Sequence, residues 1–326
     1  MKLSPGACRA LALALCLVAG GRAFADEACS ALPAVPETLA PFEDVRDYAP
    51  TLQLCRREGQ AESVALRRMT LASGPALLLA DPRTLATHID KAACWTCEPM
   101  EESALETTRM GRAVAKSAEA PGLEKRGFLE NAGLTHGQEP GSYLTGDLCP
   151  SSRRLDRRFL SSLAPHTQIA LSISGLWLTH HFDDYRWLVE RQAAGAFDIV
   201  WTDHSYHHPF KRGVAYDRNF LLTPGVDADA EILDTERLLI ANGQTPSLFF
   251  RFPGLISSSP LMLSARRLHL ISLGADAWLA NGQKPEPGSI LLVHPNGNEP
   301  LGLKLFERDF ASGRIAEPLR PLTEAP

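Results

Sequence analysis

The chain has 326 residues, with 33 Lys and Arg against 38 Asp and Glu and a formal net charge of −5. That balance excludes an acidic tail protein and a nucleic-acid binder working through bulk charge. Nucleic acid is therefore not an expected partner.

At the start, Lys2 and Arg9 precede an apolar run over residues 10–20, and Ala23-Phe24-Ala25 before Asp26 offers the small residues that a signal peptidase needs. Residues 1–25 read as a signal peptide, so the mature chain is expected to begin at Asp26 and to be exported, either periplasmic or secreted. The run is short for a permanent span, which needs roughly 20 apolar residues. No later stretch reaches that length free of charge or proline, so no integral membrane segment is expected after signal removal. Export places Cys29, Cys55, Cys94, Cys97 and Cys149 in an oxidising compartment, where disulfides form. Pairing Cys29 with Cys55 and Cys94 with Cys97 would leave Cys149 over, although spacing does not fix the connectivity. The Cys94-Trp95-Thr96-Cys97 spacing also fits a redox motif, but no βαβ unit surrounds it.

Residues 26–140 read as a smaller α+β region with no assignable chemistry. Apolar segments at 63–69 and 75–79 flank Ala72-Ser73-Gly74-Pro75, which predicts a hairpin followed by short helices. Residues 117–141 are rich in Gly, Pro, Glu and Lys and mark a boundary, leaving 141–326 as a second domain. There the pattern alternates: a strand over 169–178, a helix over 185–194, a strand over 197–201, a helix over 228–241 and buried strands at 248–250 and 290–293. Alternation of this kind is the signature of a parallel α/β sheet.

In such sheets the loops at the carboxyl ends of the strands build the site. Four segments fit that position: Tyr143-Leu144-Thr145-Gly146-Asp147-Leu148-Cys149-Pro150, the stretch from Phe197 through His204-Ser205-Tyr206-His207-His208-Pro209, Phe249-Phe250-Arg251-Phe252-Pro253-Gly254, and Gly288-Ser289-Ile290-Leu291-Leu292-Val293-His294. His204 and His208, four residues apart, can aim two imidazoles at one point, and neutral imidazole binds zinc and related divalent ions.

The order of these segments resembles the polysaccharide-deacetylase, or NodB-homology, family of carbohydrate esterases. The resemblance spans roughly residues 141–310. It rests on His204-Ser205-Tyr206-His207-His208-Pro209, Arg251-Phe252-Pro253-Gly254 and Leu292-Val293-His294, each at a predicted strand end. It implies a distorted (β/α) barrel and a metal-dependent hydrolase that removes acetyl groups from an acetylated polysaccharide by cleaving amide or ester bonds. Carried over, it makes His204 and His208 ligands of a divalent metal, with zinc favoured. Asp147 becomes the general base toward the metal-bound water, Arg251 its positioning cation and His294 the general acid. Tyr206, Pro253, Trp278 and Leu292 fall where substrate would lie.

The resemblance departs in two places. The family's first segment carries two adjacent carboxylates, and here Asp147 is followed by Leu148, which cannot coordinate a cation. Asp147 itself, Asp183 or Asp184, or the Cys149 thiol could fill the vacancy. Phe182-Asp183-Asp184 also reads as a helix N-terminus, lying only about twenty residues before His204. Asp276-Ala277-Trp278 is altered as well, leaving the tuning of His294 by Asp276 in doubt. The departure supports an alternative function, a catalytically weak or inactive glycan-binding protein that keeps Trp201, Tyr206 and Trp278 for stacking on sugars.

Overall fold

A computed structural model describes residues 29–326. The expected signal peptide lies outside the described residues. No helix among the described residues is long and apolar enough to cross a membrane.

The first strands among the described residues are β1 (Arg46–Arg56), β2 (Ser63–Leu71), β3 (Gly74–Ala80), β4 (Thr87–Lys91) and β5 (Thr96–Pro99). They form one antiparallel sheet in the order β4-β3-β2-β1-β5. The expected hairpin is the β2–β3 pair, closed by Ala72 and Ser73 with Leu71 opposite Gly74. The helices Glu102–Leu105 and Arg109–Glu119 follow.

The disulfide pairing differs from the one considered above: Cys55 joins Cys97 and Cys29 joins Cys94. The cause is sheet register, because antiparallel pairing of β1 with β5 sets Cys55 directly opposite Cys97. A bond between Cys94 and Cys97 would compete with that pairing. Cys149 is left as a free thiol.

Two short strands, β6 (Leu123–Lys125) and β7 (Phe128–Glu130), precede the second sheet. That sheet comprises β8 (Tyr143–Leu148), β9 (Thr167–Ile173), β10 (Phe197–Asp203), β11 (Phe249–Phe250), then, after β12 (Ile256–Ser257), β13 (Ile271–Ser272), β14 (Ala277–Trp278) and β15 (Ile290–Val293). Its order is β13-β11-β10-β9-β8-β15-β14, with every pairing parallel. Read as a circle, this is chain order with a seam open between β13 and β14, a distorted (β/α) barrel. β12 lies outside it and pairs with β7.

Residues 131–137 lace the seam. The Leu134 amide donates to Ser272 O at 2.8 Å, and the Gly274 amide returns to Leu134 O at 2.8 Å. The Asn131 side chain donates to Ala275 O at 2.7 Å and accepts from the Ala275 amide at 2.9 Å, and the Gly137 amide reaches Gly288 O at 2.8 Å. Backbone groups at an open edge are thereby satisfied without a further strand.

The sequence-predicted elements recur with shifted ends. The strand expected over 169–178 stops at Ile173, because Ser174 caps the helix Gly175–His180 by accepting from the Trp177 amide. The helices Phe182–Ala193 and Ala228–Ala241 fall where the apolar spacing put them.

The two sheets share a core. Val64 and Leu66 of β2 pack in one cluster with Tyr143, Phe249, Ile271 and Ile290 of the barrel. Between them runs a buried ion pair, Arg67 Nε to Glu236 Oε2 at 2.8 Å and Nη2 to Oε1 at 3.0 Å, with Tyr48 Oη donating to Glu236 Oε2 at 2.8 Å.

Candidate active site

Parallel register brings the ends of the barrel strands level. Gly146 lies opposite Val293, Asp147 opposite Ser172, and Asp203 opposite both Ile173 and Phe250. Of the residues that follow these positions, Cys149, His204 and His294 consequently rim one cleft of about 710 Å³, and Arg251 lies buried behind it.

The histidine loop is tightly wound. Ser205 and His208 hold φ of 65° and 47°, a left-handed region that costs a non-glycine residue roughly 1 kcal/mol or more. Two hydrogen bonds keep them there: the Ser205 amide donates to Asp203 Oδ1 at 2.8 Å, and the His208 amide to Ser205 Oγ at 3.1 Å. The turn stacks the His204 and His208 rings edge to face, 4.7 Å between centroids. His207 also borders the cleft, but its Nδ1 is engaged 2.7 Å from Glu231 Oε1. Asp203 turns its Oδ1 back to the Ser205 amide, and burial beside Glu236 raises its carboxyl well above the ordinary range.

His204 Nδ1 sits 2.8 Å from Arg251 O, so the carbonyl fixes the ring proton on that nitrogen. Nε2 faces the cleft, 3.5 Å from Cys149 Sγ and 3.5 Å from Asp147 Oδ2; burial lowers the His204 pKa, but those two groups more than offset it and raise it above the ordinary value. His208 Nε2 is buried with no hydrogen-bond partner among the described residues. Donor atoms of Cys149, His204 and His208 lie within 4.8 Å of one another, as do those of Asp147, Cys149 and His294. Imidazole nitrogens, a thiol sulfur and a carboxylate oxygen gathered across so short a gap fit a divalent metal.

Asp147 is held from behind. Arg251, fully buried, donates through Nη1 to Asp147 Oδ1 at 2.7 Å and to Thr145 Oγ1 at 2.8 Å, and through Nη2 to Gly274 O at 2.9 Å. Burial alone would raise the Asp147 carboxyl, but the Arg251 guanidinium, with His204 and His294, overcomes it and holds the pKa at about 2. His294 goes the other way: burial lowers it, and contacts with Cys149 and Glu299 more than compensate, to about 10. The Cys149 thiol, pushed up by burial, is drawn well below its ordinary value by the His208 and His204 imidazoles.

Of the residues singled out in the sequence, Asp147, His204, His208, Trp278, Leu292 and His294 all line the cleft, and Arg251 stands behind Asp147. Tyr206 instead packs on Phe42, ring centroids 5.5 Å apart, and Pro253 is buried in a 3₁₀ turn, so neither lines it. Trp201 is a core residue, 3 % exposed, and is closed to sugar stacking. Asp184 is occupied by Arg157 Nε at 2.8 Å and Asp276 by His136 Nδ1 at 2.6 Å, so neither is available to the cleft.

Two features escape sequence reasoning. Glu299 Oε2 lies 2.8 Å from His294 Nδ1 and accepts from Trp278 Nε1 at 2.8 Å. Its only signal was the helix start at Pro300. Phe210, Tyr216 and Phe220 line the cleft as an aromatic group, with Phe210 stacked on Phe220 at 5.2 Å and Tyr216 tilted against Phe220 at 5.7 Å between centroids. They lie in a long loop that carries no periodic signal.

No protein-family model matches the chain. Among solved structures it is similar to family 4 carbohydrate esterases. One, from Bacillus subtilis, is 17 % identical over 63 % of this chain and 84 % of that one, with a TM-score of 0.40. A peptidoglycan N-acetylglucosamine deacetylase is 18 % identical over 59 % of this chain and 91 % of that one, TM-score 0.42. A family 4 pseudoenzyme from Bacillus anthracis is 14 % identical over 58 % and 66 %, TM-score 0.39.

Proposed function

We propose that this chain is a metal-dependent hydrolase that removes acetyl groups from a cell-envelope or extracellular polysaccharide, by cleaving an amide or ester bond. The observation that carries the reading is the convergence of three groups on one cleft. These are an ionised carboxylate locked by Arg251, two imidazoles that turn a ring nitrogen inward, and a third imidazole backed by Glu299. A pure binding surface has no physical need of that set.

His204 and His208 would hold the divalent ion, zinc being favoured by imidazole donors. When bound, such an ion supplies Lewis-acid polarisation of an acyl carbonyl and lowers the pKa of the attacking water. Asp147, ionised and oriented by Arg251, takes the proton from that water. His294, protonated and oriented by Glu299, gives its proton to the departing amine or alkoxide. Opposite displacements of two titratable groups in one cleft suit this division of acid and base. The Phe210, Tyr216 and Trp278 rings offer flat apolar faces for a sugar.

The chain is proposed to act after export to the periplasm or beyond the cell. Two disulfides among the described residues suit an oxidising compartment. A second reading, a glycan-binding protein without turnover, draws on Leu148 at the position of the second family carboxylate. Acetate release from N-acetylglucosamine oligomers and O-acetylated glycans, measured with and without chelator, separates the two. Release that chelation stops and zinc restores supports the hydrolase. No release above that of His204→Ala on any of these glycans overturns it.

A further inference from the structure

Leu148 is fully buried in the barrel core and offers no donor. The residue after it does. Cys149 leaves the end of β8 with its backbone carbonyl tied to Asn296 Nδ2 at 2.9 Å, and its Sγ enters the cleft 3.5 Å from His204 Nε2. Zinc bonds of roughly 2.0–2.1 Å to nitrogen and 2.3 Å to sulfur, at tetrahedral angles, set a nitrogen-to-sulfur edge of roughly 3.5 Å.

We propose that Cys149 Sγ is the third protein ligand of a zinc site completed by His204 and His208, taking the place left empty by Leu148 and freeing Asp147 from coordination. This rests on the metal-dependent reading above. Three observations bear on it independently of sequence resemblance. The donor atoms of these three residues lie within 4.8 Å of one another, whereas Asp147 clusters with Cys149 and His294. Asp147 is anchored through Oδ1 to Arg251 at 2.7 Å, which orients it for proton transfer, while its Oδ2 lies 3.5 Å from His204 Nε2. His208 Nε2 is buried and without a hydrogen-bond partner among the described residues. The other four described cysteines are consumed in disulfides, which leaves Cys149 reduced.

A ligand set of one thiolate and two imidazoles selects zinc over harder divalent ions such as manganese and magnesium, and three protein ligands leave a position open toward the cleft. Asp147 keeps both its ion pair and its proton-transfer role.

The test uses the mature chain, with zinc quantified by elemental analysis, affinity by chelator competition and cobalt(II) as a spectroscopic probe. Wild type is expected to hold zinc stoichiometrically, and its cobalt form to show a thiolate-to-cobalt charge-transfer band in the near ultraviolet. Cys149→Ser should lose that band and bind zinc roughly 100-fold more weakly or worse. Cys149→Asp should recover zinc binding without the band, which separates loss of a ligand from loss of the fold. A wild-type cobalt form without the band, or Cys149→Ser with undiminished zinc affinity, overturns the assignment, and if acetate release persists there the hydrolase reading still stands. Cysteine-dependent zinc without acetate release from any glycan keeps the site and discards the hydrolase. Alkylation of Cys149 that abolishes turnover while zinc stays bound also overturns the assignment, in favour of a nucleophilic thiol.

Discussion

Glu299 places its carboxylate 2.8 Å from His294 Nδ1 while accepting the Trp278 indole proton at 2.8 Å, so one acidic group sets both the ring and the wall beside it. Glu299→Gln is expected to lower kcat roughly 10-fold to 100-fold with zinc content unchanged. Glu299 helps to raise the His294 pKa. Its loss should therefore move the alkaline limb of the pH–rate profile to lower pH. A profile that drops in height without moving would reduce Glu299 to a packing residue.

Asp147→Asn should cut acetate release by more than about 100-fold, because an amide cannot take the proton. Zinc should stay bound. Arg251, left buried without its carboxylate, should make the variant less stable by about 3 kcal/mol or more in urea titrations. Zinc leaving with the substitution would show that Asp147 is itself a ligand.

Arg67 and Glu236, each 1 % exposed, join the antiparallel sheet to a barrel helix. Replacing either alone, Arg67→Met or Glu236→Leu, leaves a buried charge and should destabilise the chain by about 3–5 kcal/mol. The double variant should recover most of that loss, although the Tyr48 hydroxyl then lacks its acceptor. Denaturant unfolding of the four chains in a double-mutant cycle measures the coupling, and additive losses would show the pair to be independent.

Tyr185 is buried and donates to Asn242 O at 2.8 Å, and burial lifts its phenol well above the ordinary pKa of 10.0. The unfolded chain therefore releases this proton first as pH rises past about 10, and the folded state loses stability only above that point. Tyr185→Phe should cost about 1 kcal/mol at pH 8, the value of the hydrogen bond, and the gap should close as the pH rises beyond 10. Parallel thermal melts at both pH values check this, and a constant gap would rule out the titration.

The barrel could be read from the sequence because its strands are short apolar runs separated by amphipathic helices, a pattern fixed locally. The position of the cleft could also be read, since Asp147, His204 and His294 each follow such a run. What local pattern cannot encode is which groups meet across the rim. Glu299 reaches His294 because Pro300 starts a helix at that point, and Cys149 reaches His204 because Leu148 turns into the core. Tyr206 stands beside two histidines in sequence, yet the strained turn at Ser205 sends it toward Phe42. The disulfides follow the same logic, decided by the register of β1 on β5 rather than by spacing along the chain.

The residues that lace the open seam come before every strand of the barrel, and their partners come late: Asn131 waits for Ala275, a separation of 144 positions. On a nascent chain, closure of the ring must be among the last events, after the stretch near Gly288 has emerged. Until then the seam edge stays exposed, and non-local pairings of this length form slowly. A fragment starting at residue 141 would keep the staves without the hoop, leaving the Ser272, Ala275 and Gly288 carbonyls to find water instead.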